Sequence, residues 1–197
     1  MAEKYVITIS RQFASMGRSI AKKLAEELGI EFYDRDIVEQ TARRMGLPVS
    51  TISDTEESAN NIYYKRIYPL GMAIKSMQDE VFMVQQNIIR DLADRESCII
   101  VGRCADEVLK DHPRLLNVHV FAPKADRLRN CVEKLGMDEA TAKKTLPRVD
   151  KSRAGYHKVY GGGDEYVNCH LMLNSSQFGI EGSAHLLALI ARDRFGL

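Results

Sequence analysis

The chain has 197 residues, of which 45% are hydrophobic, so it is long enough to bury one substantial core, and we expect a single domain over residues 1–197. Its 28 Lys and Arg residues nearly balance 27 Asp and Glu residues, for a formal charge of +1. This balance excludes a general attraction to nucleic acid or to an anionic membrane, so any anionic partner must be met by a local group of charges.

The beginning of the chain and its cysteines favour a cytoplasmic location. The first residues lead directly into a short apolar run, without the charged region, long apolar segment and cleavage site of a secretory signal. The apolar runs are far shorter than the roughly 20 residues of a membrane-spanning helix. The four cysteines lie far apart and the five histidines lack metal-ligand spacing, so we expect buried, reduced thiols.

The first elements form a strand, a loop and a helix. Residues 5–10 are rich in β-branched and aromatic side chains, which predicts a buried strand. A helix should begin near Arg18, since apolar residues then recur at helical spacing, and it should end at Gly29. Residues 30–33 predict a second short strand, and Asp34 follows at its carboxyl end, where open α/β sheets collect their ligands.

The rest of the chain also alternates between helices and strands. Residues 36–95 look helical, with a polar stretch over 53–61 that predicts a mobile connection. Residues 98–101 are so uniformly apolar that they predict a strand inside the sheet. Later elements are a strand over 115–121, a helix over 124–135, a strand centred on 171–173 and a helix over 179–194. The alternation predicts an α/β fold with a parallel sheet covered by helices on both faces.

The loop before the first helix has the composition of a phosphate site. Gly17, Arg18 and Ser19 stand together at a helix N-terminus, where backbone N–H groups and the helix dipole favour an anion. A cation after the Gly can reach the β- and γ-phosphates, and the next hydroxyl can ligate Mg²⁺. Against the pattern GxxxxGK[ST], however, Gln12 replaces the first Gly and Arg18 replaces the Lys. Taken alone, the loop is equally compatible with an ordinary helix cap.

Short motifs occur in a fixed order along the chain. They are Ser10-Arg11 with Ser15 and Gly17-Arg18, then Phe32-Tyr33-Asp34-Arg35, then Val101-Gly102-Arg103, and finally DKSRAGYH at 150–157. In these motifs the chain resembles the cytidylate-kinase-like family of P-loop proteins, from residue 6 to about residue 181. The resemblance implies a P-loop NTPase fold, which is a three-layer α/β/α sandwich with a five-stranded parallel sheet. It also implies a helical acceptor-binding region over residues 36–95 and a lid over residues 138–163.

The resemblance further implies ATP as the donor, Mg²⁺ as the cofactor, and roles for particular residues. It implies that the donor phosphates are bound by Ser15, Met16, Gly17, Arg18 and Ser19, with Ser19 at the metal and Asn174 near the donor base. The acceptor side falls to Asp34, Arg35, Arg103 and Asp150, with Arg103 on the acceptor phosphate. The expected catalytic residues, which neutralise charge on the transferring group, are Arg18, Arg148 and Arg153. For Asp34 and Arg35, a surface ion pair is the alternative.

The composition of residues 143–158 supports a lid. This stretch holds six Lys and Arg residues but only one acid, Asp150, whereas a solvated helix face normally mixes the two signs. We expect the stretch to close on an anion, with Asp150 holding Arg148 or Arg153 in place. A basic surface helix without a specific ligand is the alternative.

Two departures weaken the expected phosphate site. Ala14 and Met16 stand where the family usually has Gly, and a positive φ at either would cost about 1 to 2 kcal/mol and weaken donor binding. We therefore expect phosphoryl transfer from ATP to a nucleoside monophosphate such as CMP, with two alternatives. One is a nucleotide-binding regulator without kinase activity, and the other is a kinase for a non-nucleotide small molecule. A weaker hypothesis lets Tyr63, Tyr64, Tyr68 and Met72 line the acceptor pocket.

Overall fold

The computed structural model of the chain describes residues 3–57, 76–163, 166 and 169–197. Five strands run through this part of the chain: β1 (Val6–Arg11), β2 (Glu31–Tyr33), β3 (Cys98–Val101), β4 (Leu115–Phe121) and β5 (Leu171–Asn174). The helices are α1 (Gly17–Leu28), α2 (Arg35–Met45), α3 (Val49–Glu57), α4 (Met77–Arg95), α5 (Ala105–Val108), α6 (Lys124–Glu133), α7 (Glu139–Tyr160) and α8 (Ser175–Phe195).

The strands form one sheet in the order β2-β3-β1-β4-β5, and every neighbouring pair is parallel. On one face, α1 and α8 bury residues such as Ile20 and Leu187 against the sheet. On the other face, α2 and α4 bury Ile37, Ile88 and Leu92. Each fully buried Ile or Leu contributes about 1.5 to 3 kcal/mol. The predicted α/β/α sandwich with a five-stranded parallel sheet is therefore confirmed.

Most differences from the predicted elements lie at their ends. The last helix begins at Ser175 rather than 179, but Gly179 interrupts it with φ 66° and ψ −169°, so the predicted helix corresponds to the part after this kink. Within the polar stretch 53–61, residues up to Glu57 belong to α3, because Ile52 is buried and Thr55 Oγ1 bonds to the Thr51 carbonyl at 2.6 Å. The remainder of that stretch lies outside the described residues.

The predicted lid region contains one long helix, α7, which contacts other elements near both ends. Near its beginning, Leu146 is buried in a cluster with Ala14 and Cys131. Near its end, Tyr156 and Tyr160 pack around Phe82 of α4, with the rings of Phe82 and Tyr160 4.3 Å apart. The helix thus spans from the loop after β1 to the helical region between β2 and β3. Among the described residues, no helix is long and apolar enough to span a membrane.

Candidate active site

The loop after β1, residues 12–19, is called the phosphate loop here, and its backbone is left-handed at two residues other than glycine. Ala14 has a φ of 58° and Met16 a φ of 61°. A side chain in this conformation costs roughly 1 to 2 kcal/mol relative to ordinary backbone. Ala14 and Met16 stand where glycine is expected, and the loop adopts the left-handed backbone at both positions. This backbone is costly for a residue with a side chain.

Neighbouring helices hold this strained loop by hydrogen bonds to its backbone. Asn130 Nδ2 of α6 donates to the Ala14 carbonyl at 3.0 Å, and Ser175 Oγ of α8 donates to the Ser15 carbonyl at 2.7 Å. From α7, the Asp150 carboxylate accepts the Phe13 N–H at 2.7 Å. Such bonds, at about 1 kcal/mol each and more for the charged one, offset the cost of the left-handed residues.

The N-terminus of α1 is open towards an anion. Met16 is the N-cap residue and supplies no side-chain oxygen, so the amides of the first turn have no side-chain cap. Ser19 lies exposed in this turn, where its hydroxyl can reach a ligand. Ser15 is different, because it is fully buried and its hydroxyl donates to the Gln12 and Val120 carbonyls at 3.0 and 3.1 Å. The Ser15 side chain therefore shapes the loop.

The Asp34 carboxylate forms ion pairs with three arginines at the carboxyl end of the sheet. This carboxylate lies 2.9 Å from Arg18 Nε, 2.8 Å from Arg103 Nη1 and 3.5 Å from Arg11 Nη2. Asp34 is 7% exposed, so its contacts with the largely buried Arg11 and Arg103 are screened little by water, whereas the Arg18 side chain is 63% exposed. One carboxylate does not balance three guanidinium groups, so within the part of the chain that the structure describes the cluster keeps a positive charge that suits a phosphate.

A cavity of about 230 Å³ lies beside this cluster, beneath α7, and is called the arginine cavity here. Its walls include four arginines, namely Arg11, Arg103, Arg148 and Arg153. Two of them leave the ends of β1 and β3, and the other two come from α7. Residues from distant parts of the sequence are thus brought to one concave, strongly basic surface.

A buried histidine and a buried aspartate form another part of the cavity wall. His157 Nε2 lies 2.9 Å from Asp106 Oδ2, and His157 Nδ1 lies 3.0 Å from the Gly163 carbonyl. A carbonyl and a carboxylate are both acceptors, and a ring that donates from both nitrogens, and is then positively charged, satisfies both contacts. Asp106 balances that charge. Among the described residues that line the cavity, the arginines therefore set the net charge.

The comparison with protein families agrees with the motifs. The model of the cytidylate kinase-like family matches residues 6–177. The chain belongs to the cytidylate kinase-like family. A search of curated protein sequences gives no match.

Solved structures share the fold of this member of the cytidylate kinase-like family. An uncharacterized protein from Eubacterium ventriosum is 23% identical with a TM-score of 0.72, and the match covers 95% of this chain and 98% of that one. Shikimate kinase from Acinetobacter baumannii, in complex with shikimate, is 18% identical with a TM-score of 0.51 over 96% and 94% of the two chains. Shikimate kinase from Bacteroides thetaiotaomicron is 12% identical with a TM-score of 0.55 over 94% and 97%. At these identities the likeness shows the fold alone.

Within this cytidylate kinase-like chain, some residues predicted from the sequence come together. Arg18, Asp34 and Arg103 meet in one cluster, while Arg148 and Arg153 line the adjoining cavity. Gly17 begins α1 next to them, with Met16 before it and Ser19 in the same turn. Their roles towards a ligand stay predictions.

Other predicted residues lie elsewhere or have different partners. Arg35 is 70% exposed at its side chain and lies 3.7 Å from Glu39, which is the surface ion pair that was the alternative. Asn174 lies at the end of β5 and caps α8 by accepting the Ser176 N–H at 3.2 Å. Asp150 was expected to hold Arg148 or Arg153, but its carboxylate binds the Phe13 amide and Arg127 of α6. Tyr63, Tyr64, Tyr68 and Met72 lie outside the described residues.

Four residues of the site were given no role from the sequence, namely Arg11, Asp106, Arg127 and His157, although Arg11 and His157 stand in the short motifs. Arg11 could have been found, because it is the last residue of a strand whose carboxyl end meets the phosphate loop. Asp106 and His157 are 51 positions apart, and although His157 ends the motif at 150–157, only the fold brings the two residues together.

A second buried histidine lies below the phosphate loop. His119 of β4 is fully buried, and its Nδ1 lies 2.8 Å from Ser10 Oγ at the end of β1. Burial, and after it the charge of His157, lowers the pKa of His119 to about 4. His119 is therefore neutral at pH 7 and adds no charge to the strand ends.

Proposed function

We propose that the protein transfers the γ-phosphoryl group of ATP to the phosphate of a nucleoside monophosphate, with CMP as the first acceptor to test. The observation that carries the proposal is the arginine cavity beside an uncapped helix N-terminus. Two phosphate-bearing substrates repel each other, and the transfer needs cations around both. The family membership supports the same reaction class.

The donor side of the proposal uses the phosphate loop. The first-turn amides of α1 bind the β- and γ-phosphates, and Arg18 lies in the same turn. Ser19 would hold Mg²⁺ through its hydroxyl; bound there, the ion would neutralise charge on the donor phosphates. The donor set fits such a site, because Mg²⁺ at a nucleotide keeps waters and phosphate oxygens as most of its ligands. Over the described ranges, no group of three or more His, Cys, Asp or Glu side chains could hold a metal.

The acceptor side uses the arginine cavity. Arg103 binds the acceptor phosphate, while Arg148 and Arg153 stabilise charge on the group in transit. An oxygen of the acceptor phosphate forms a bond to the γ-phosphorus as the bond from that phosphorus to the bridging oxygen breaks. ADP leaves with the electron pair of the broken bond. The attacking oxygen is already ionised at neutral pH, so no general base is required.

A second candidate is a kinase for an anionic metabolite that is not a nucleotide. Arginine forks bind carboxylates as well as phosphates, and the cavity of about 230 Å³ is small. The fold shared with shikimate kinases, one of them in complex with shikimate, favours testing hydroxy acids. A nucleotide-binding regulator is the third candidate, supported by the left-handed Ala14 and Met16.

The test is a steady-state assay of ADP formation from ATP and Mg²⁺ with CMP, UMP, AMP and shikimate as separate acceptors. We expect CMP to give the highest kcat/KM. Turnover with shikimate but with no nucleotide would establish the second candidate. If thermal shift shows ATP binding while all acceptors give only background ADP, the regulator is supported and the kinase proposal is wrong.

A further inference from the structure

Arg11 lies at the boundary between two cavities. A second cavity of about 250 Å³ is lined by residues of the phosphate loop and of α7, including Gln12 and Lys151. Arg11 and Arg153 line both this cavity and the arginine cavity. They are also bonded to each other, since Arg153 Nη1 donates to the Arg11 carbonyl at 3.1 Å. A group that passes from one cavity to the other passes these two side chains.

Two glycines leave the space that the Arg11 side chain occupies. A Cβ atom on Gly17 would lie 2.8 Å from Arg11 Cβ, and a Cβ on Gly102 would lie 2.1 Å from Arg11 Nη1. Both distances are too short for a real contact, so neither position accepts a side chain unless Arg11 moves. Gly17 begins the helix of the phosphate loop, whereas Gly102 follows β3 on the side of the arginine cavity.

The contact of Arg11 with Asp34 is the longest of the three arginine contacts in the cluster. Its Nη2 lies 3.5 Å from the carboxylate, against 2.8 Å for Arg103 and 2.9 Å for Arg18. Asp34 therefore keeps the guanidinium oriented while binding it less closely than the other two. A guanidinium has five N–H donors, so Arg11 can bind a second anion at the cavity boundary while it keeps its contact with Asp34.

We propose that Arg11 is a catalytic residue that binds the phosphoryl group at the boundary of the two cavities, and that Gly102 keeps its guanidinium there. This inference rests on the proposed function for the reaction it serves. Its binding part is independent of turnover, because it requires only that a polyphosphate bind next to Arg11.

The test measures binding of inorganic pyrophosphate by calorimetry to the wild-type protein and to Arg11→Ala, Arg11→Lys and Gly102→Ala. Loss of a charge-assisted bond should weaken binding about tenfold or more in Arg11→Ala. Arg11→Lys should lie between, because it keeps the charge but loses the planar fork. Gly102→Ala should resemble Arg11→Ala, because the added methyl displaces the guanidinium.

Gly29→Ala is the matched control for the glycine variant. Gly29 has a φ of 65°, close to the 75° of Gly102, but a Cβ there would have no heavy atom within 4 Å. Both variants carry the same backbone strain, so a difference in pyrophosphate binding reports the displacement of Arg11. If Arg11→Ala does not fold, pyrophosphate binding by Arg11→Lys and the comparison of Gly102→Ala with Gly29→Ala test the inference.

Wild-type affinity in Arg11→Ala, or equal affinities in Gly102→Ala and Gly29→Ala, would overturn the inference. So would a wild-type protein that does not bind pyrophosphate. Binding that depends on Arg11 in a protein that phosphorylates none of the acceptors would support the Arg11 site and overturn the proposed kinase function. In an active enzyme, we also expect Arg11→Ala to lower kcat by about 100-fold.

Discussion

The phosphate loop and the turn after β3, residues 102–104, leave neighbouring parallel strands, and both contain left-handed backbone at residues other than glycine. In the loop these are Ala14 and Met16, and in the turn they are Arg103 and Cys104, with φ values of 54° and 51°. The two segments differ in what compensates for the strain. Side chains of α6, α7 and α8 supply hydrogen bonds to the loop backbone, whereas the turn combines backbone bonds, such as Gly102 N–H to the Ile9 carbonyl at 3.0 Å, with the ion pair between Arg103 and Asp34.

This difference indicates that the two halves of the site respond to different perturbations. A segment held by backbone hydrogen bonds from three helices keeps its shape when one side chain changes. In the turn, the Arg103 side chain shares the Asp34 carboxylate with two other arginines, so a change of that carboxylate affects three contacts at once. Substitutions of the residues that contact each segment test this contrast.

The largest effect is expected for Arg153, which contacts the phosphate loop and the end of β1 and lines the arginine cavity together with the turn. Its guanidinium lies over the Phe13 ring, 5.9 Å from the centroid, and donates to the carbonyl of Arg11. If the protein is the proposed kinase, Arg153→Ala should lower kcat by about 10² to 10³-fold, since a charge-stabilising donor is lost. The KM for the acceptor should change much less. Steady-state kinetics of Arg153→Ala measure this effect, and the control is Arg129→Ala, at an exposed arginine of α6. A kcat equal to that of the wild type would show that Arg153 takes no part in the mechanism.

The next largest effect is expected for Asp34→Asn. Removal of its charge leaves three guanidinium groups close together, two of them on side chains less than a fifth exposed. We expect the free energy of unfolding to fall by about 3 kcal/mol, the low end for a broken buried ion pair. Urea denaturation measures this change.

Asp150→Asn is the corresponding change at the phosphate loop. The amide oxygen of Asn can still accept the Phe13 N–H, so we expect a loss of only about 1 kcal/mol, from the weakened bond to Arg127. A loss for Asp150→Asn as large as that for Asp34→Asn would contradict the contrast between the two segments.

The sequence was sufficient for the sheet and for half of the site. Apolar runs such as Cys98–Val101 predict buried strands, and the polar residues that follow such strands meet at one edge of a parallel sheet. The pattern of strands and of the polar residues after them therefore places Arg18, Asp34 and Arg103 near one another.

The partners of these residues could not be predicted in the same way. Whether Asp150 binds Arg148, Arg153 or Arg127 depends on which face of α7 meets α6, and the sequence of a helix rich in lysine and arginine does not determine this. The ion pair of His157 and Asp106 likewise requires α7 to end beside α5. For the phosphate loop, the pattern identified the two costly positions, but the compensating bonds from Asn130 and Ser175 come from distant helices.

An effect that depends on pH is expected for His119, which lies beside the end of β1. Burial lowers its pKa to about 4 in the folded protein, whereas an unfolded histidine has a pKa of 6.5. Between these values the unfolded state binds more protons, so the free energy of unfolding should fall as the pH falls from 6.5 towards 4, by about 2 to 3 kcal/mol.

Urea denaturation of the wild-type protein and of His119→Asn at pH 7, 5.5 and 4.5 measures this contribution. Asn can keep a hydrogen bond to Ser10 but does not titrate, so the pH dependence of the variant should be flatter. Other carboxylates and histidines titrate equally in both proteins, and the difference between the two curves isolates His119. Parallel curves would show that His119 does not remain neutral in the fold.

The smallest effect is expected for Ala14→Gly in the phosphate loop. Glycine relieves the strain at a φ of 58°, which stabilises the fold by about 1 to 2 kcal/mol. Loss of the buried methyl group costs about 0.8 kcal/mol. The greater freedom of glycine in the unfolded chain costs a further 0.4 to 1 kcal/mol, roughly. These terms nearly cancel, so the free energy of unfolding should stay within about 1 kcal/mol of the wild-type value.

Ala25→Gly is the control. Ala25 is as buried as Ala14, at 6% against 7% exposed, but it lies in the helix α1. There the same change should destabilise by about 1 to 2 kcal/mol, since no strain is relieved. Equal losses at the two positions would mean that the hydrogen bonds from the surrounding helices, rather than the residue type, already remove the strain at Ala14.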